Sequence, residues 1–448
     1  MNAVVISVII MLALSIARVH VVISLFIAAL VAGLTAHMGI EGTMVAFQDG
    51  LAGGAKIALS YALLGAFAMA VAHSGLPQLL ADWLVSKMKS ADPSRGERVR
   101  SVTKWSIVAG VVAMGIMSQN LIPIHIAFIP LLIPPILGVM NTLKMDRRLV
   151  ASAITFGIIT TYMFLPIGFG RIYLHDILFA NIEKAGMNLT GVNPVVAMGI
   201  PALSMLVGLI IAFFSYGKSR EYKPATSEYT RKIETIEPRK VWAALFAIIV
   251  CFVIQTGLTL VDSAADPLLV GALVGLCILL FMRVVPWQKA DDVFSGGMKM
   301  MSLIGLIMIT AQGYASVLNE SGAIEPLVQQ TADLFAGSKV IAAFAMLLVG
   351  LIITMGIGSS FSTLPIISAI YVPLCATLGF SPVATVALIG TAGALGDAGS
   401  PASDSTLGPT TGLNVDGQHD HMRDTVIPTF LHFNIPLLIG GWIAAVVL

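Results

Sequence analysis

The sequence predicts an all-α polytopic membrane protein with two inverted repeats of about five spans each, and each repeat contains a re-entrant helical hairpin and a broken helix. Three observations lead to this fold. Of the 448 residues, 57% are hydrophobic and only 11% are charged, whereas about a quarter of the residues in a soluble domain are charged. Apolar runs long enough to cross a bilayer recur along the chain. The two halves of the chain also show the same order of landmarks.

Apolar runs that can cross the roughly 30 Å of hydrocarbon in a bilayer mark the candidate spans. We place ten of them at residues 2–17, 21–38, 54–73, 148–170, 195–216, 241–261, 267–285, 298–318, 382–396 and 426–447. Two further apolar stretches, 104–141 and 340–378, are too long for one span, and each is interrupted once by polar residues. We interpret each as a helical hairpin that enters and leaves the membrane on the same side.

The distribution of basic residues predicts the orientation of these segments. Lysine and arginine residues are clustered before the first hairpin, from residue 87 to 104, and after it, from residue 144 to 148. The polar linker 218–240 holds seven Lys or Arg residues against four Glu residues. Because basic segments stay in the cytoplasm, we predict a cytoplasmic linker, both termini on the outer side, and a multi-pass protein of the cytoplasmic (inner) membrane.

The linker separates two halves that align with each other. Residues 19–75 match residues 266–322 without a gap, so that Gly50 corresponds to Gly297. An odd number of crossings between equivalent elements makes the repeats inverted, which is the architecture of alternating-access secondary transporters. The predicted organisation is a first repeat at 1–190, a connecting span at 191–217, the linker at 218–240, a second repeat at 241–425 and a C-terminal span at 426–448, with broken helices at about 148–182 and 382–414.

The most polar stretch inside an apolar region comprises residues 396–406. We expect a helix that begins near Pro382 to stop at Gly396, and Ser400-Pro401 to supply the N-cap and the first residue of the next helix. The break would then place one helix C-terminus opposite one helix N-terminus. Unpaired carbonyl groups at the helix C-terminus favour a cation, and unpaired N–H groups at the helix N-terminus favour a carboxylate.

Two carboxylates lie in this break, Asp397 on its carbonyl side and Asp404 beyond the predicted helix N-terminus. Hard cations take several oxygen ligands, and a carboxylate in a dehydrated cavity can exchange a proton for a cation. Asp397 and Asp404 are therefore the sodium candidates, with neutral oxygen ligands from Ser400, Ser403 and Thr406. The alternative interpretation is a solvated cytoplasmic loop at the membrane edge.

The hairpin tips carry the other candidate residues, which place hydroxyl or amide groups beside helix ends. They are Ser359, Ser360, Ser362 and Thr363 in the second hairpin, and Ser118, Gln119 and Asn120 in the first. The first broken span has no acidic residue from position 160 to 171, so we expect the cation on the second-half side and the first tip beside the solute. For both tips the alternative is a turn that only packs against neighbouring helices.

Other polar features carry less functional weight. The run 416–424 contains histidine and aspartate but no fixed zinc spacing, and we predict a solvated cytoplasmic loop there. Lys56 is predicted to extend its side chain to the membrane interface. No phosphate loop, nucleotide fingerprint or cofactor motif stands out. The sequence therefore predicts no nucleic-acid partner and no cofactor, with Na⁺ or H⁺ as the coupling ion.

The motif at 396–406, together with the Gly-Ser-Ser-Phe-Ser-Thr tip at 358–363, resembles the NhaC-type Na⁺/H⁺ antiporter family of the ion transporter superfamily. The tail through His419, His421 and the segment 428–436 is similar to the YuiF-like branch, some of whose members are linked to amino-acid uptake, notably of histidine. The resemblance implies two hairpins and two broken helices around a midplane site, dimerisation in several relatives, and elevator-like or rocking motion.

The first functional hypothesis is a cation-coupled secondary active transporter of the Na⁺/H⁺ antiporter type, and not an enzyme. A Na⁺- or H⁺-coupled amino-acid importer on the same fold is the alternative, with histidine as one candidate solute, and a proton-translocating subunit of a larger complex is a remote one. An intramembrane protease would need aspartates on separate helices that share a proton, whereas Asp397 and Asp404 lie in one segment. The expected partners are the lipid bilayer, a small ion or amino-acid solute, and a second copy of the chain.

Overall fold

The computed structural model describes residues 2–17, 19–76, 79, 97–120, 128–223, 237–261, 265–334, 338–401 and 403–448. The regular elements in these residues are helices, and seven of them are long and apolar enough to cross a membrane, or eight if one bent pair is counted as a span. The prediction of an all-α polytopic membrane protein is confirmed. The division into inverted repeats remains a prediction.

The helices of the first half follow the predicted apolar runs. They are α1 at Ala3–Ile16, α2 at Val21–Thr35, α3 at Gly39–Ala72, α4 at Glu97–Asn120, α5 at Phe128–Thr142, α6 at Arg147–Phe164, α7 at Phe169–Lys184 and α8 at Pro194–Tyr216. Between α6 and α7 the chain bends by 52°. The central part of α7, Ile172–Phe179, is π-helical.

The second half contains nine helices in its described residues. They are α9 at Pro238–Leu260, α10 at Pro267–Phe281, α11 at Ala290–Glu320, α12 at Ile324–Leu334, α13 at Lys339–Ile357, α14 at Ser360–Leu378, α15 at Pro382–Ala394, α16 at Asp404–Leu413 and α17 at His421–Val447. Short π-helical stretches at His421–Val426 and Phe430–Asn434 interrupt α17.

Several helices differ in length from the predicted spans. Helices α1, α2 and α10 have 14, 15 and 15 residues, which at 1.5 Å per residue is less than the thickness of the hydrocarbon layer. Each of α2 and α10 is followed by a residue with positive φ, His37 at 62° and Arg283 at 55°, where the chain turns into the next element. Helices α3 and α11, with 34 and 31 residues, extend well beyond the predicted spans 54–73 and 298–318.

Helices α3 and α11 form the most extensive helix pair, and glycine makes their close approach possible. A methyl group added to Gly50 would lie 2.8 Å from the Gly313 Cα, and one added to Gly297 would lie 2.4 Å from the Ala66 Cα. These contacts run in opposite directions along the two helices, so the pair is antiparallel. Small residues at such positions let two backbones pack directly against each other in a membrane.

Helices α13 and α14 form a helical hairpin, as predicted from the polar interruption between them. The Tyr371 hydroxyl donates to the Met346 carbonyl at 2.7 Å, and the Lys339 ammonium donates to the Gly379 carbonyl. The two open ends therefore lie together, and the tip is at Gly358, whose φ of 76° is in the left-handed region that glycine adopts without a steric cost. In the first half, α4 and α5 flank residues 121–127, which are outside the described residues.

Helices from each half pack against the broken helix of the other half. Helix α5 contacts α16, and helix α14 contacts α7. The α5–α16 contact is close, since a methyl group on Gly412 would lie 3.0 Å from side-chain atoms of both Ile129 and Ile133. A helix of one half is thus packed against a broken helix of the other, and residues more than two hundred positions apart in sequence meet in one central site.

The prediction of a solvated loop at 416–424 is wrong only for part of the segment: Gly417, Asp420, Met422 and Arg423 are exposed, but Asp416, His419 and Asp424 are held by contacts with the protein. Asp416 accepts two hydrogen bonds of 2.6 Å from the guanidinium of Arg147, which is 0% exposed. His419 is 1% exposed and contacts the Thr425 hydroxyl at 2.7 Å, and Asp424 pairs with Arg220. The segment folds back onto the start of α6 because it supplies the carboxylate that the buried Arg147 requires.

Burial alone would raise the pKa of Asp416, but the hydrogen bonds and the charge of Arg147 outweigh burial and hold this pKa below its ordinary value. We expect Asp416→Asn to lower the apparent melting temperature of the purified protein, because it leaves the Arg147 charge buried without a counter-charge, a change that costs roughly 3 to 5 kcal/mol. Glu221→Gln, which breaks an exposed ion pair with Lys144, is the matched control and should change little. Equal effects of the two substitutions would contradict this account.

Burial also lowers the pKa of His419 to about 4. In the unfolded chain this imidazole takes up a proton near pH 6.5, so the unfolded state binds more protons between these values and stability falls as the pH is lowered through that window. We expect the melting temperature of His419→Gln to fall less from pH 7 to pH 5 than that of the natural protein. His73→Gln, at an exposed position, should keep the full pH dependence, and identical slopes for all three proteins would contradict the prediction.

Candidate functional site

The Asp397 carboxylate is the centre of the candidate site. Asp397 is 5% exposed, and three hydroxyl groups donate hydrogen bonds to it. Tyr162 and Ser360 donate to Oδ2, the latter at 3.0 Å, and Ser403 donates to Oδ1. The Tyr162 and Ser360 hydroxyl oxygens are also 2.9 Å from each other. The described partners of this carboxylate are therefore neutral, in contrast to the arginine that holds Asp416.

Three separate segments supply these hydroxyl groups. Tyr162 is in α6, two residues before the first helix break, and Ser360 is the first residue of α14, beside the hairpin tip. Ser403 lies at the other end of the second break, six residues after Asp397. The predicted meeting of the hairpin tip with the second break is thus found at Ser360, and the first half contributes Tyr162.

The second break differs in detail from its prediction. Helix α15 ends at Ala394, and Gly396 has a φ of 88°, close to the predicted stop. The next helix, however, begins at Asp404 with Ser403 as its N-cap, not at Ser400-Pro401. Ser400 is extended, with φ of −80° and ψ of 131°, because the residue before a proline is disfavoured in the helical region.

Neighbouring segments hold the backbone of this break. The Gly396 N–H donates to Asn434 Oδ1 in α17 at 3.0 Å, and the Ser400 hydroxyl donates to the Met355 carbonyl in α13 at 3.2 Å. The Thr406 hydroxyl bonds to the carbonyls of Ser400 and Ser403 at 2.6 and 2.9 Å. Ser400 and Thr406 thus fix the path of the chain, and Ser403 donates its hydroxyl to the Asp397 carboxylate.

Asp404 is the first residue of α16 and is partly exposed. Its carboxylate interacts electrostatically with Asp397, and among the described residues it has no hydrogen-bond or ion-pair partner. A negative charge in the first turn of a helix is favoured by the helix dipole. Two acidic groups, one enclosed by hydroxyls and one unpaired, therefore lie in the same break, as the sequence predicted.

The predicted hairpin-tip residues have different roles. Ser362 and Thr363 donate their hydroxyls to the Ser359 carbonyl at 3.1 and 2.9 Å, so these two side chains bond to the local backbone instead of reaching the carboxylate. Ser359 supplies that carbonyl and is the N-cap of α14. In the first hairpin, α4 ends at Asn120, and the side chains of Ser118, Gln119 and Asn120 are outside the described part of the structure.

Sequence reasoning missed Tyr162. It lies in the first broken span, which drew attention only for its lack of acidic residues, and a tyrosine on a buried helix face is usually a packing residue. Tyr162 also belongs to an aromatic cluster, with ring centroids 4.9 Å from Tyr173 and 5.1 Å from Phe361. The sequence feature that could have identified Tyr162 is its position just before the proline-containing break.

The chemistry of this site suits a hard cation or a proton. Each hydroxyl can donate to an ionised carboxylate or accept from a protonated one, so the network around Asp397 is compatible with both states. The same oxygens have lone pairs for a cation, and carboxylate and hydroxyl oxygens are the ligand type that hard cations take. Within the described residues, no cluster of three or more His, Cys, Asp or Glu side chains forms a transition-metal site.

Comparison with known proteins gives consistent matches over the whole chain. A sequence model of the Na⁺/H⁺ antiporter family matches residues 153–442, and a second model, of a Na⁺-H⁺ antiporter family, matches residues 2–88. The uncharacterized membrane protein VP2115 of Vibrio parahaemolyticus is 49% identical over 100% of both chains. The putative amino acid transporter YuiF of Bacillus subtilis is 46% identical over 100% of both chains.

Two solved transporter structures have the same overall fold. Neisseria gonorrhoeae MtrF, described within a class of antimetabolite efflux pumps, aligns with a TM-score of 0.59 and 16% identity over 90% of this chain and 84% of its own. The Alcanivorax borkumensis YdaH transporter aligns with a TM-score of 0.58 and 15% identity over 91% and 89%. At these identities the likeness concerns the fold alone. The family matches, which cover most of the chain, show that this protein is a secondary transporter and belongs to the Na⁺/H⁺ antiporter family.

Proposed function

We propose that this protein couples the movement of a cation, Na⁺ or H⁺, to transport through the carboxylates of Asp397 and Asp404. One observation carries the proposal: Asp397 is buried, and the groups that hydrogen-bond it among the described residues are neutral hydroxyls, those of Tyr162, Ser360 and Ser403 among them. A carboxylate paired with arginine is fixed in its ionised form. A carboxylate surrounded by hydroxyls can release a proton when it takes up a cation, which is the elementary step of exchange.

The energetics of burial favour this function. An ionised group removed from water loses several kcal/mol even after relaxation, and a hydrogen bond to a charged group returns roughly 1.5 to 3 kcal/mol. Three hydroxyl donors therefore offset much of the cost at Asp397, but they do not make the ionised form so stable that a proton cannot return. Asp404, which interacts with Asp397 electrostatically, adds a repulsion that a bound cation or proton relieves.

The proposed motion is alternating access between two inverted repeats, and the packing of α3 against α11 supports it. In the alignment of the two halves, Gly50 corresponds to Gly297 and Ala66 corresponds to Gly313. The contact of Gly50 with Gly313 and the contact of Gly297 with Ala66 are therefore equivalent under exchange of the halves. The contacts of α5 with α16 and of α14 with α7, each between the two halves, support the same arrangement.

The remaining assignments are proposals that follow from the sequence. The charge distribution supports a location in the cytoplasmic membrane with both termini on the outer side. The family resemblance supports a homodimer and hairpin tips that reach the middle of the bilayer. The hydrogen bond from the Ser360 hydroxyl to Asp397 supports the proposal that the tip of the second hairpin lies beside the coupling site.

A Na⁺- or H⁺-coupled amino-acid importer is the second candidate, and it is favoured by the similarity to a relative named as a putative amino acid transporter. The two candidates differ in whether Na⁺ and H⁺ exchange without an organic solute. Proteoliposomes with imposed Na⁺ or H⁺ gradients distinguish them: exchange in buffer that contains no organic solute assigns the antiporter, and gradient-driven uptake of a labelled amino acid without such exchange assigns the importer.

We expect Asp397→Asn to reduce gradient-driven flux of every transported species to the level of protein-free liposomes, because the amide cannot exchange a proton for a cation. Asp404→Asn should also lower the flux. Asp49→Asn, which removes an exposed carboxylate from α3, is the control and should transport at the natural rate. Flux at the natural rate in the Asp397→Asn protein would exclude this carboxylate from coupling.

The hydroxyl of Tyr162 should set the cation affinity. Tyr162→Phe removes one of three donors to an ionised carboxylate, a loss of roughly 1.5 to 3 kcal/mol, so the Na⁺ concentration for half-maximal flux should rise by at least roughly tenfold. Tyr173→Phe is the matched control, because its hydroxyl donates to the Gly390 carbonyl at 2.6 Å and not to Asp397. If both variants shift the Na⁺ dependence equally, the effect belongs to the aromatic cluster and not to the hydrogen bond.

A further inference from the structure

A polar cavity lies outside the Asp397 site, between α3, α7 and the start of α10. It has a volume of about 250 Å³ and is lined by Lys56, Ser60, Ile172, His175, Asp176, Ala180 and Asp266. None of these residues is among the partners of Asp397. Lys56, which the sequence predicts to extend to the membrane interface, pairs its ammonium with Asp266 at 3.2 Å.

The two carboxylates in this cavity differ in what they bind. Asp266 has only 9% of its side chain exposed, and both of its oxygens are engaged: Oδ2 pairs with Lys56, and Oδ1 accepts hydrogen bonds of 2.9 and 3.0 Å from the N–H groups of Leu268 and Leu269. Asp266 is thus the N-cap of α10 and the counter-charge of Lys56. Because both oxygens of Asp266 already have partners, this carboxylate has little capacity left to bind a further positive group.

Asp176 is half-buried and has no hydrogen-bond or ion-pair partner among the described residues. It interacts electrostatically with Asp266, Arg171 and Lys56, so one acidic charge beyond the Lys56–Asp266 pair faces the cavity. The Lys56 side chain remains 59% exposed despite its ion pair. The cavity therefore presents one unpaired carboxylate and one accessible ammonium, held on different helices.

This arrangement selects a ligand with both charges. An anion alone would face two carboxylates, and a cation alone would leave the exposed Lys56 ammonium without an anionic partner from the ligand, whereas a ligand with both charges can contact both Asp176 and Lys56. The volume of about 250 Å³ is below the roughly 300 to 1,000 Å³ of typical drug-sized sites. A molecule the size of an amino acid, with an ammonium and an anionic group, fits both the charges and the space.

We propose that this cavity binds a small zwitterion, with the ligand ammonium on Asp176 and its anionic group on Lys56. A free α-amino acid and the ethanolamine headgroup of a phospholipid share this chemistry, and Lys56 lies near the end of the candidate membrane span Gly54–Ala72 of α3. Ile172 and Ala180 supply the apolar part of the lining. The site is independent of the proposed coupling at Asp397.

Equilibrium binding to the purified full-length protein tests this site without any ion gradient. Isothermal titration calorimetry in detergent with each standard amino acid tests whether the ligand is a free amino acid. Methylamine and acetate, which each carry one of the two charged groups of glycine, are titrated for comparison. To test whether the ligand is a lipid headgroup, the melting temperature of the protein is measured in nanodiscs of phosphatidylethanolamine and in nanodiscs of phosphatidylglycerol. We expect a zwitterion to bind more tightly than either fragment, or the ethanolamine lipid to stabilise more than the glycerol lipid.

Asp176→Asn should weaken that binding by roughly 10- to 100-fold, the loss of one charge-assisted contact. Ala180→Phe fills the cavity without a change of charge and should abolish the binding. This variant replaces Asp176→Asn in the test if Asp176→Asn misfolds. Asp49→Asn should bind within a factor of two of the natural protein. Absence of binding by every amino acid and by the ethanolamine lipid, or binding unchanged in Asp176→Asn and Ala180→Phe, overturns the inference.

Asp397→Asn separates this inference from the proposed function. Binding that persists in Asp397→Asn but is lost in Asp176→Asn places the ligand in this cavity, whatever the outcome of the flux experiments. Binding that is lost in Asp397→Asn and kept in Asp176→Asn assigns the ligand to the central site and overturns the inference.

Discussion

The burial of an acidic side chain without a cationic partner is the constraint on which the rest of this structure depends. Asp397 is surrounded by protein, and its hydrogen bonds come from the hydroxyls of Tyr162, Ser360 and Ser403. Each hydroxyl must be brought from a different segment. The first helix break, the hairpin tip and the second helix break are consequently packed into one place.

The contrast with Asp416 shows what the hydroxyl environment achieves. Asp416 is bound by two hydrogen bonds to the guanidinium of Arg147, and it therefore fastens the segment 414–420 to the start of α6 in a permanently charged pair. Asp397 has no such cation among the described residues, so its charge can be compensated by an ion from solution. One buried carboxylate is structural and the other is suited to exchange, and the difference lies in the charge of the partner.

Much of the fold follows from local sequence, because apolar runs and glycine or proline interruptions act over a few residues. The stop near Gly396, the hairpin tip at Gly358 and the presence of Asp397 and Asp404 in the break were predictable on this basis. The orientations of Ser362 and Thr363 were not, because hydroxyls near a helix start can bind either the local backbone or a distant group.

The contacts that sequence reasoning missed connect distant parts of the chain. Tyr162 reaches Asp397 across 235 positions, and Arg147 reaches Asp416 across 269. A single sequence does not reveal such pairings, since each residue alone matches an ordinary packing or loop residue. The Ser400-Pro401 pattern likewise predicts a helix start, but α16 begins three residues later than predicted. In the structure the Thr406 hydroxyl binds the carbonyls of Ser400 and Ser403.

The most direct test of exchange at Asp397 is to measure proton release when Na⁺ is added to the purified protein in weakly buffered detergent solution, with a pH-sensitive dye. The account predicts that Na⁺ releases protons from the natural protein, that an equal concentration of choline does not, and that Asp397→Asn releases none. Proton release from Asp397→Asn equal to that of the natural protein would contradict the assignment of this carboxylate as the exchange site.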